Sequence, residues 1–228
     1  EEYGTPITPE AEPTRKGYTF SGWSEIPEKM PGEDLVIDGS FTVNKYLQNV
    51  ASPLSMNTKT YPVLRDENVR KAIFLSMDKE ALAYAKFGEY ADYPKSSLTT
   101  MSSPYYVETE HFTQDLETAK KLIADSGYTA EELTFTVYAP SGEDSAQIEL
   151  FQSELASIGV PLNIEFVDRA VTIEKMLAGE RPMWFGENDC WDISRMLNMV
   201  DGRIESAFDG FVGNDCEELY ALIDAAKA

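Results

Sequence analysis

The sequence has few of the residues on which enzyme chemistry commonly depends. It contains one histidine, His111, and two cysteines, Cys190 and Cys216, in 228 residues. His111 stands in the loop-like stretch VETEHFTQD, where a lone histidine is usually just solvated. The two cysteines are 26 positions apart and lack metal-type spacing. A disulfide between them and two separate thiols both stay open.

Catalytic motifs are also missing. The sequence has no Gly-x-Gly-x-x-Gly, no P-loop and no His-Glu-x-x-His. The string Ser76-Met77-Asp78-Lys79 matches Ser-x-x-Lys, but the companion Ser-Asp-Asn and Lys-Thr-Gly strings are absent. We therefore expect no enzyme activity, no catalytic residues, no metal site and no cofactor.

Positive charge is scarce along the whole chain. Lysine and arginine number 19 against 40 acidic residues, which gives a net charge of −21. The excess is spread: 4 against 9 in residues 1–46, and 15 against 31 afterwards. Both parts repel phosphate groups, which excludes nucleic acid and anionic membrane surfaces as expected partners. Peptides, cations and neutral solutes stay open as partners. The alternative is that the acidic surface simply keeps the protein in solution.

Long apolar runs are absent as well. No run approaches the roughly 20 residues that a membrane-spanning helix needs, and the first residues lack the basic and apolar regions of a signal peptide. We expect no membrane span in this chain, and no export signal or anchor within it. Hydrophobic residues make up 43% of the chain, enough to fill the core of one large domain or two smaller ones.

Residues 1–46 have the pattern of a small β module. Apolar and polar side chains alternate with a period of two around Tyr18 and again in the segment 35–43, which predicts two strands. Gly17 and Gly22 punctuate the first strand, and PGED at 31–34 predicts a turn before the second. Three aromatic residues are expected to supply much of its thin core: Phe20, Trp23 and Phe41.

The hydrophobic period changes near Tyr46, and helices are predicted from there on. Asp66 and Asp78 are expected to cap two successive helices, the second ending at Gly88. Asp115 is expected to cap a third helix that Gly127 closes.

The rest of the chain predicts a β-α-β-α-β order. Strands are expected at 133–139, 162–167 and 182–185, with helices at 144–158 and 170–178 between them and a last helix at 215–227. This order implies right-handed crossovers and a largely parallel or mixed sheet covered by helices. The fold class is therefore α/β, preceded by the β module.

The first module resembles a known repeat. The string PTRKGYTFSGW…IPEKMPGEDLVIDGSFTVN, within residues 3–45, is similar to the Listeria–Bacteroides repeat, the internalin-type B repeat of bacterial surface proteins. The resemblance implies a small β-grasp-like fold. It also implies a stalk or spacer on an exported, often cell-wall-associated protein.

Residues from about 50 to 228 resemble the second lobe of family 5 extracellular solute-binding proteins, the oligopeptide and nickel binders of ABC importers. The similarity rests on five separated blocks: NTK at 57–59, VRKAI at 69–73, MDKEA at 77–81, DLETAKKLI at 115–123 and LASIGVPLNIEFVD at 155–168, continued by the tail FDGFVGNDCEELYALIDAA. Family members have two lobes and more than twice this length. We therefore expect a module at 1–46 and one incomplete lobe of periplasmic-binding-protein-like fold at 47–228, with the first lobe absent.

The family resemblance implies a function without chemistry. Members close two lobes around a solute and present it to a membrane transporter. The implied partners are a peptide or another small solute, and an ABC transporter permease reached through the missing first lobe. The implied location is extracellular or at the bacterial cell surface. The alternative is a structural or adhesive cell-surface protein in which the lobe is a non-binding scaffold.

The stretch WFGENDCWD at 184–192 is expected to hold the ligand contacts. In peptide binders of this family a carboxylate there meets the peptide α-ammonium, and Asp189 is the counterpart. Trp184, Asn188 and Trp191 are expected to form walls. Two alternatives stay open: a tryptophan beside a glycine at a strand end is more often a core residue than a ligand wall, and Asp189 or Asp192 could instead cap the next helix.

Overall fold

The computed structural model describes residues 4–8, 11–16, 18–31, 35–43, 50–91, 99–108, 113–140, 145–186, 188–189, 193–204 and 216–227. The chain divides into two compact units, Glu1–Gln48 and Asn49–Ala228. We call them unit 1 and unit 2.

Unit 1 contains an antiparallel pair of strands, β1 (Tyr18–Trp23) and β2 (Gly39–Val43). The register shifts between Phe20 and Gly22, and Gly22 has a φ of 128°, which few other residues adopt. The ring of Phe20 packs edge-on against Trp23 at 5.0 Å and Phe41 at 5.6 Å between centroids. The expected aromatic core is thus present. The second strand is shorter than the predicted 35–43, and most of the expected PGED turn lies outside the described residues.

Unit 2 begins with two short strands, β3 (Val50–Ala51) and β4 (Leu54–Met56), followed by three helices. The helices are α1 (Glu67–Ser76), α2 (Lys79–Phe87) and α3 (Leu116–Ser126). Short 3-10 turns precede α1 at Pro62–Arg65 and follow α2 at Gly88–Tyr90.

The three predicted helix caps are confirmed. The carboxylate of Asp66 accepts from the N–H of Asn68 at 2.8 Å. The Asp78 and Asp115 carboxylates each accept, at 3.0 Å, from the N–H three residues on. Gly127 ends α3 with a φ of 75° in the left-handed region. Each carboxylate accepts from an N–H that has no partner within its helix, and glycine readily adopts the left-handed conformation that ends a helix. These preferences for particular residue types are why the caps could be predicted from the sequence.

The second half of unit 2 alternates strands and helices. Its strands are β5 (Phe135–Pro140), β6 (Leu162–Val167), β7 (Met183–Phe185) and β8 (Asn188–Asp189). Its helices are α4 (Ser145–Ser157), α5 (Arg169–Leu177), α6 (Ile193–Val200) and α7 (Glu217–Lys227). Strands β5 and β6 are parallel with α4 as their crossover, as the pattern predicted.

The expected position of β7 in that same sheet is wrong. β7 pairs antiparallel with β4, from Leu54 opposite Phe185 to Met56 opposite Met183. The three-residue β4 is too short to give a period of two, so the sequence did not reveal the strand that β7 pairs with.

The hydrophobic core of unit 2 lies between α1, α3, α4 and the strands. Its largest fully buried side chains include Phe135, Phe151, Leu64, Ile73 and Leu155. Helix α4 supplies the central stripe, and Met183 of β7 is buried against the same cluster. The core therefore anchors one end of the β4–β7 pair.

Candidate functional site

The two strand pairs around the candidate site, β3 with β8 and β4 with β7, are in register with each other. Asn188 pairs with Ala51 and Phe185 with Leu54, so a step of three residues along one strand matches a step of three along the other. Between the two ladders the N–H of Gly186 donates to the carbonyl of Pro53 at 2.9 Å. Pro53 has no N–H to return, which interrupts the ladder there. We call β3, β4, β7 and β8 together the paired ribbon.

The ribbon is held at its buried end by Asn57. This side chain is fully buried, and its Nδ2 donates to the carbonyl of Gly179 at 3.0 Å and to Oγ1 of Thr60 at 2.7 Å. Its Oδ1 accepts from the N–H groups of Lys59 and Thr60 at 3.1 and 3.0 Å. The N–H of Asn57 also donates to the carbonyl of Pro182 at 2.8 Å. The turn after β4 and the turn before β7 are thus fixed to each other.

Trp184 lies in the middle of β7, opposite Ser55, and is partly exposed. The side chains on either side of it face the core: Met183 is buried, and Phe185 packs edge-on against Phe151 at 5.2 Å. The Arg181 guanidinium carbon lies 5.0 Å from the Trp184 ring centroid. Burial lowers the pKa of Arg181. Trp184 is therefore less buried than Met183, which belongs to the core. Its role as a ligand wall stays a prediction.

The other predicted site residues are only partly covered by the structure. The backbones of Asn188 and Asp189 form β8, opposite Ala51 and Val50. Trp191 and Asp192 lie outside the described residues. Trp184 thus lies in β7, and Asn188 and Asp189 form the next strand of the ribbon, β8. The part of each in ligand binding stays a prediction.

A charged network follows the candidate segment. The buried carboxylate of Asp201 accepts two hydrogen bonds from the Arg203 side chain, at 2.8 and 2.9 Å, and one from the Arg203 N–H at 3.1 Å. The Arg203 guanidinium also binds Asp224 of α7 at 2.7 and 3.0 Å. The ammonium of Lys227 is 3.6 Å from the same Asp201. The Arg203 hydrogen bonds lower the pKa of Asp201 to about 2. The network joins α7 to the residues that follow α6.

A second charged group is buried in α4. The side chain of Glu154 is 8% exposed, and its Oε1 accepts from the N–H of Asp78 at 2.9 Å. Burial, with a smaller contribution from the Asp78 charge, raises the pKa of Glu154 to about 7. Sequence reasoning gave Glu154 no role, because a glutamate in a helix is normally placed on the solvated face.

The structure offers no support for the catalytic alternatives in its described part. The hydroxyl of Ser76 donates to the carbonyl of Ile73 in its own helix at 2.8 Å. Cys216 is an exposed free thiol. His111 and Cys190 lie outside the described residues. Within the described ranges, no three acidic, histidine or cysteine side chains come together as a metal site would require, and no helix is long and apolar enough to cross a membrane.

The family model of bacterial extracellular solute-binding proteins, family 5 (middle part), matches residues 24–200. The chain belongs to this family. The match begins directly after β1 of unit 1, includes β2, and continues to the end of α6 in unit 2. The predicted family 5 membership is thus confirmed, whereas the resemblance of unit 1 to the B repeat stays a prediction.

Relatives of this family 5 protein include Di/tripeptide-binding protein 2 of Pseudomonas aeruginosa (strain UCBPP-PA14), 28% identical over 178 residues. That alignment covers 74% of this chain and 33% of the relative. The chain therefore spans about a third of the length of the curated relatives it matches.

Solved structures show the same fold. The ABC transporter substrate-binding protein CtaP of Listeria monocytogenes has a TM-score of 0.69 and 22% identity over 79% of this chain and 38% of its own. The periplasmic binding protein DppA of Helicobacter pylori, in complex with the peptide STSA, has a TM-score of 0.65 and 22% identity over 79% of this chain and 36% of its own. The α/β fold of the periplasmic binding proteins is thereby confirmed.

Proposed function

We propose that unit 2 is a lobe of an extracytoplasmic solute-binding protein that delivers short peptides to an ABC importer. Family 5 membership supports solute binding, and the two curated relatives named as di/tripeptide-binding or probable di/tripeptide-binding proteins favour peptides over other solutes. The location that goes with this function is extracellular or at the bacterial cell surface. The partners are a peptide and a transporter permease.

The proposed ligand contact is a carboxylate at the end of the paired ribbon. Asp189 ends β8, at the opposite end of the ribbon from the Asn57 clamp. This backbone position is the observation that carries the proposal, because a strand anchored in the core holds its far end in a fixed place. We propose that Asp189 pairs with the peptide α-ammonium and that Trp184, Asn188 and Trp191 contact the rest of the peptide.

The expected affinity of this chain is low. A ligand in a complete pocket usually has about 70–90% of its surface buried, which a single open lobe does not provide. An ion pair that stays in water contributes only about 0–1 kcal/mol. We therefore expect a dissociation constant on the order of 1 mM, equivalent to about −4 kcal/mol.

A thermal-shift experiment tests this function. At a ligand concentration ten times such a dissociation constant, binding to the native state alone stabilises it by roughly 1.4 kcal/mol. For a domain of this size that corresponds to a Tm increase of about 3–6 °C. Di- and tripeptides should give this increase, and the same peptides with an acetylated amino terminus should give a smaller one. Equal shifts for both sets would contradict a contact with the α-ammonium.

A second function is favoured by unit 1. Its β1–β2 pair with the Phe20, Trp23 and Phe41 cluster suits the small β module that the B-repeat resemblance implies. We propose that unit 1 is a spacer module of a surface-displayed protein. If unit 2 is then a non-binding scaffold, peptides, metal ions and sugars will all leave the Tm unchanged.

A further inference from the structure

Helix α4 contacts α2 through two buried polar groups. Its buried side chains include Gln147, Phe151 and Glu154, at spacings of four and three that put them on one face of the helix. Gln147 Nε2 donates to the carbonyl of Leu82 at 3.3 Å, and Glu154 Oε1 accepts from the N–H of Asp78 at 2.9 Å. Phe151 lies between them and is fully buried. The two contacts hold the cap and the first turn of α2 against α4.

The Glu154 contact is incomplete. Its Oε1 is hydrogen-bonded, but its Oε2 is shielded from solvent and has no hydrogen-bond partner among the described residues. A carboxylate has two acceptor oxygens, and leaving one of them unsatisfied in the interior is costly when the group is ionised. Protonation of Oε2 removes the charge while Oε1 keeps the bond to Asp78.

The surroundings of Glu154 do not compensate its charge. Among the described residues, α1, α2 and β6 pack against α4, and Phe185 of β7, a strand without charged residues, packs on its Phe151. Besides Asp78, the charged residues that they carry are Glu67, Arg70, Lys71, Lys79, Glu80, Lys86 and Glu165. Asp78 is the group whose charge acts on Glu154, and it is of the same sign. Lys71 pairs with Glu67, and Arg70 donates to the carbonyls of Leu64 and Arg65. Burial, and not a carboxylate, shifts the pKa of Lys79, which it lowers.

We propose that Glu154 is a proton-operated latch between α4 and the start of α2. In its protonated form the latch is closed and α2 is held at Asp78. In its ionised form the buried charge favours opening, because Glu154 is solvated only when the start of α2 separates from α4. The outward side of α2 carries Tyr84 and Phe87, which are 65% and 43% exposed, so the latch controls the order of this apolar surface.

The sign and the pH range follow from linkage. The pKa of Glu154 is raised from about 4.3 in an unfolded or open form to about 7 in the closed form. The closed form therefore binds the proton more tightly, and its advantage is complete below the open-form value and falls as the pH rises through about 7. Between pH 6 and pH 8 the equilibrium constant for closing falls by about tenfold if Glu154 is fully solvated in the open form.

Native-state hydrogen exchange of the whole chain tests the latch. The amides of residues 82–87 in α2 should lose about tenfold protection between pH 6 and pH 8, after correction for intrinsic exchange. Glu154→Gln cannot ionise and should stay protected at both pH values. Glu149→Gln, at an exposed position on the same helix, should behave like the unmodified chain. Unchanged protection in the unmodified chain, or the same tenfold loss in Glu154→Gln, would overturn the proposal.

A second measurement covers the case in which Glu154→Gln does not fold. The side-chain carboxyl carbon of Glu154 can be titrated by NMR in the unmodified chain. A midpoint near pH 7, shared by the amides of α2, supports the latch. A midpoint below about 5.5 would show a group solvated in the native state, and the proposal would be wrong.

Discussion

The side-chain amide of Asn57 donates a hydrogen bond to the carbonyl of Gly179, which lies 122 positions later in the chain. This bond joins the turn after β4 to the turn before β7 and sets where the paired ribbon begins. The ribbon carries the candidate ligand contact at its other end. We therefore expect the position of a proposed binding residue to depend on a buried amide at the opposite end of the ribbon.

Asn57→Ala should destabilise unit 2 by about 2–4 kcal/mol, because it leaves the N–H groups of Lys59 and Thr60 without their acceptor and the Gly179 carbonyl with only the Thr60 hydroxyl. Asn57→Asp should cost more, since a carboxylate cannot donate to Gly179. Asn68→Ala, at an exposed position, is the control and should change stability by less than about 0.5 kcal/mol. Chemical denaturation of the three variants gives these values. A cost for Asn57→Ala no larger than for the control would refute the role of the clamp.

Arg203→Ala should lower the Tm by several degrees and expose the amides of α7 to exchange. The variant leaves the buried Asp201 carboxylate with only Lys227, at 3.6 Å, as a cationic neighbour. Asp224→Asn removes the outer, exposed partner of the same arginine and should have a much smaller effect. If both variants melt alike, the inner Asp201 pair does not hold α7 in place.

Acid should weaken the network of Asp201, Arg203 and Asp224 only at low pH. The pKa of Asp201 is lowered to about 2 in the folded protein, against about 3.9 in an unfolded chain. Its stabilising contribution is therefore present above about pH 4 and is lost as the pH falls through about 2. Carboxyl titration by NMR should give a midpoint well below pH 3 for Asp201, and Arg203→Ala should raise it. An unchanged midpoint in the variant would exclude Arg203 as the cause.

Trp23→Ala should unfold unit 1 without unfolding unit 2. The Trp23 ring packs on Phe20 at 5.0 Å in a unit of fewer than 50 residues, which has little other core to rely on. Val36→Ala, at a residue 75% exposed, is the matched control. Amide NMR spectra should lose the dispersed signals of β1 and β2 and keep those of unit 2. Loss of both sets would show that the two units do not fold separately.

Local features of the fold could be predicted from the sequence, and long-range ones could not. The caps at Asp66, Asp78 and Asp115 involve partners two or three residues away, so a short sequence window contains the whole signal. The pairing of β7 with β4 joins residues about 130 positions apart through a strand of three residues. No period is visible in so short a strand.

The candidate site shows the same division. Asp189 and Trp184 are predicted from a family resemblance that depends on a nearby string of residues, and their role in binding stays a prediction. Glu154 was missed because glutamates in helices are mostly exposed, and only the packing of α2 on α4 makes this one buried. The signal that the sequence did offer was its spacing from Phe151 on the apolar face of α4.

The central proposal is that unit 2 binds the amino terminus of a short peptide through Asp189. NMR titration of the whole chain with a tripeptide should shift the backbone amides of β3 and β8 with a dissociation constant on the order of 1 mM. Asp189→Asn should raise this dissociation constant by up to about fivefold, whereas Asp168→Asn, at an exposed aspartate whose side chain caps nothing, should leave it unchanged. Acetylation of the tripeptide should have the same effect as Asp189→Asn. An unchanged dissociation constant in Asp189→Asn, or binding at micromolar concentration or tighter that Asp189→Asn abolishes, would contradict the account of a weak, single-lobe site.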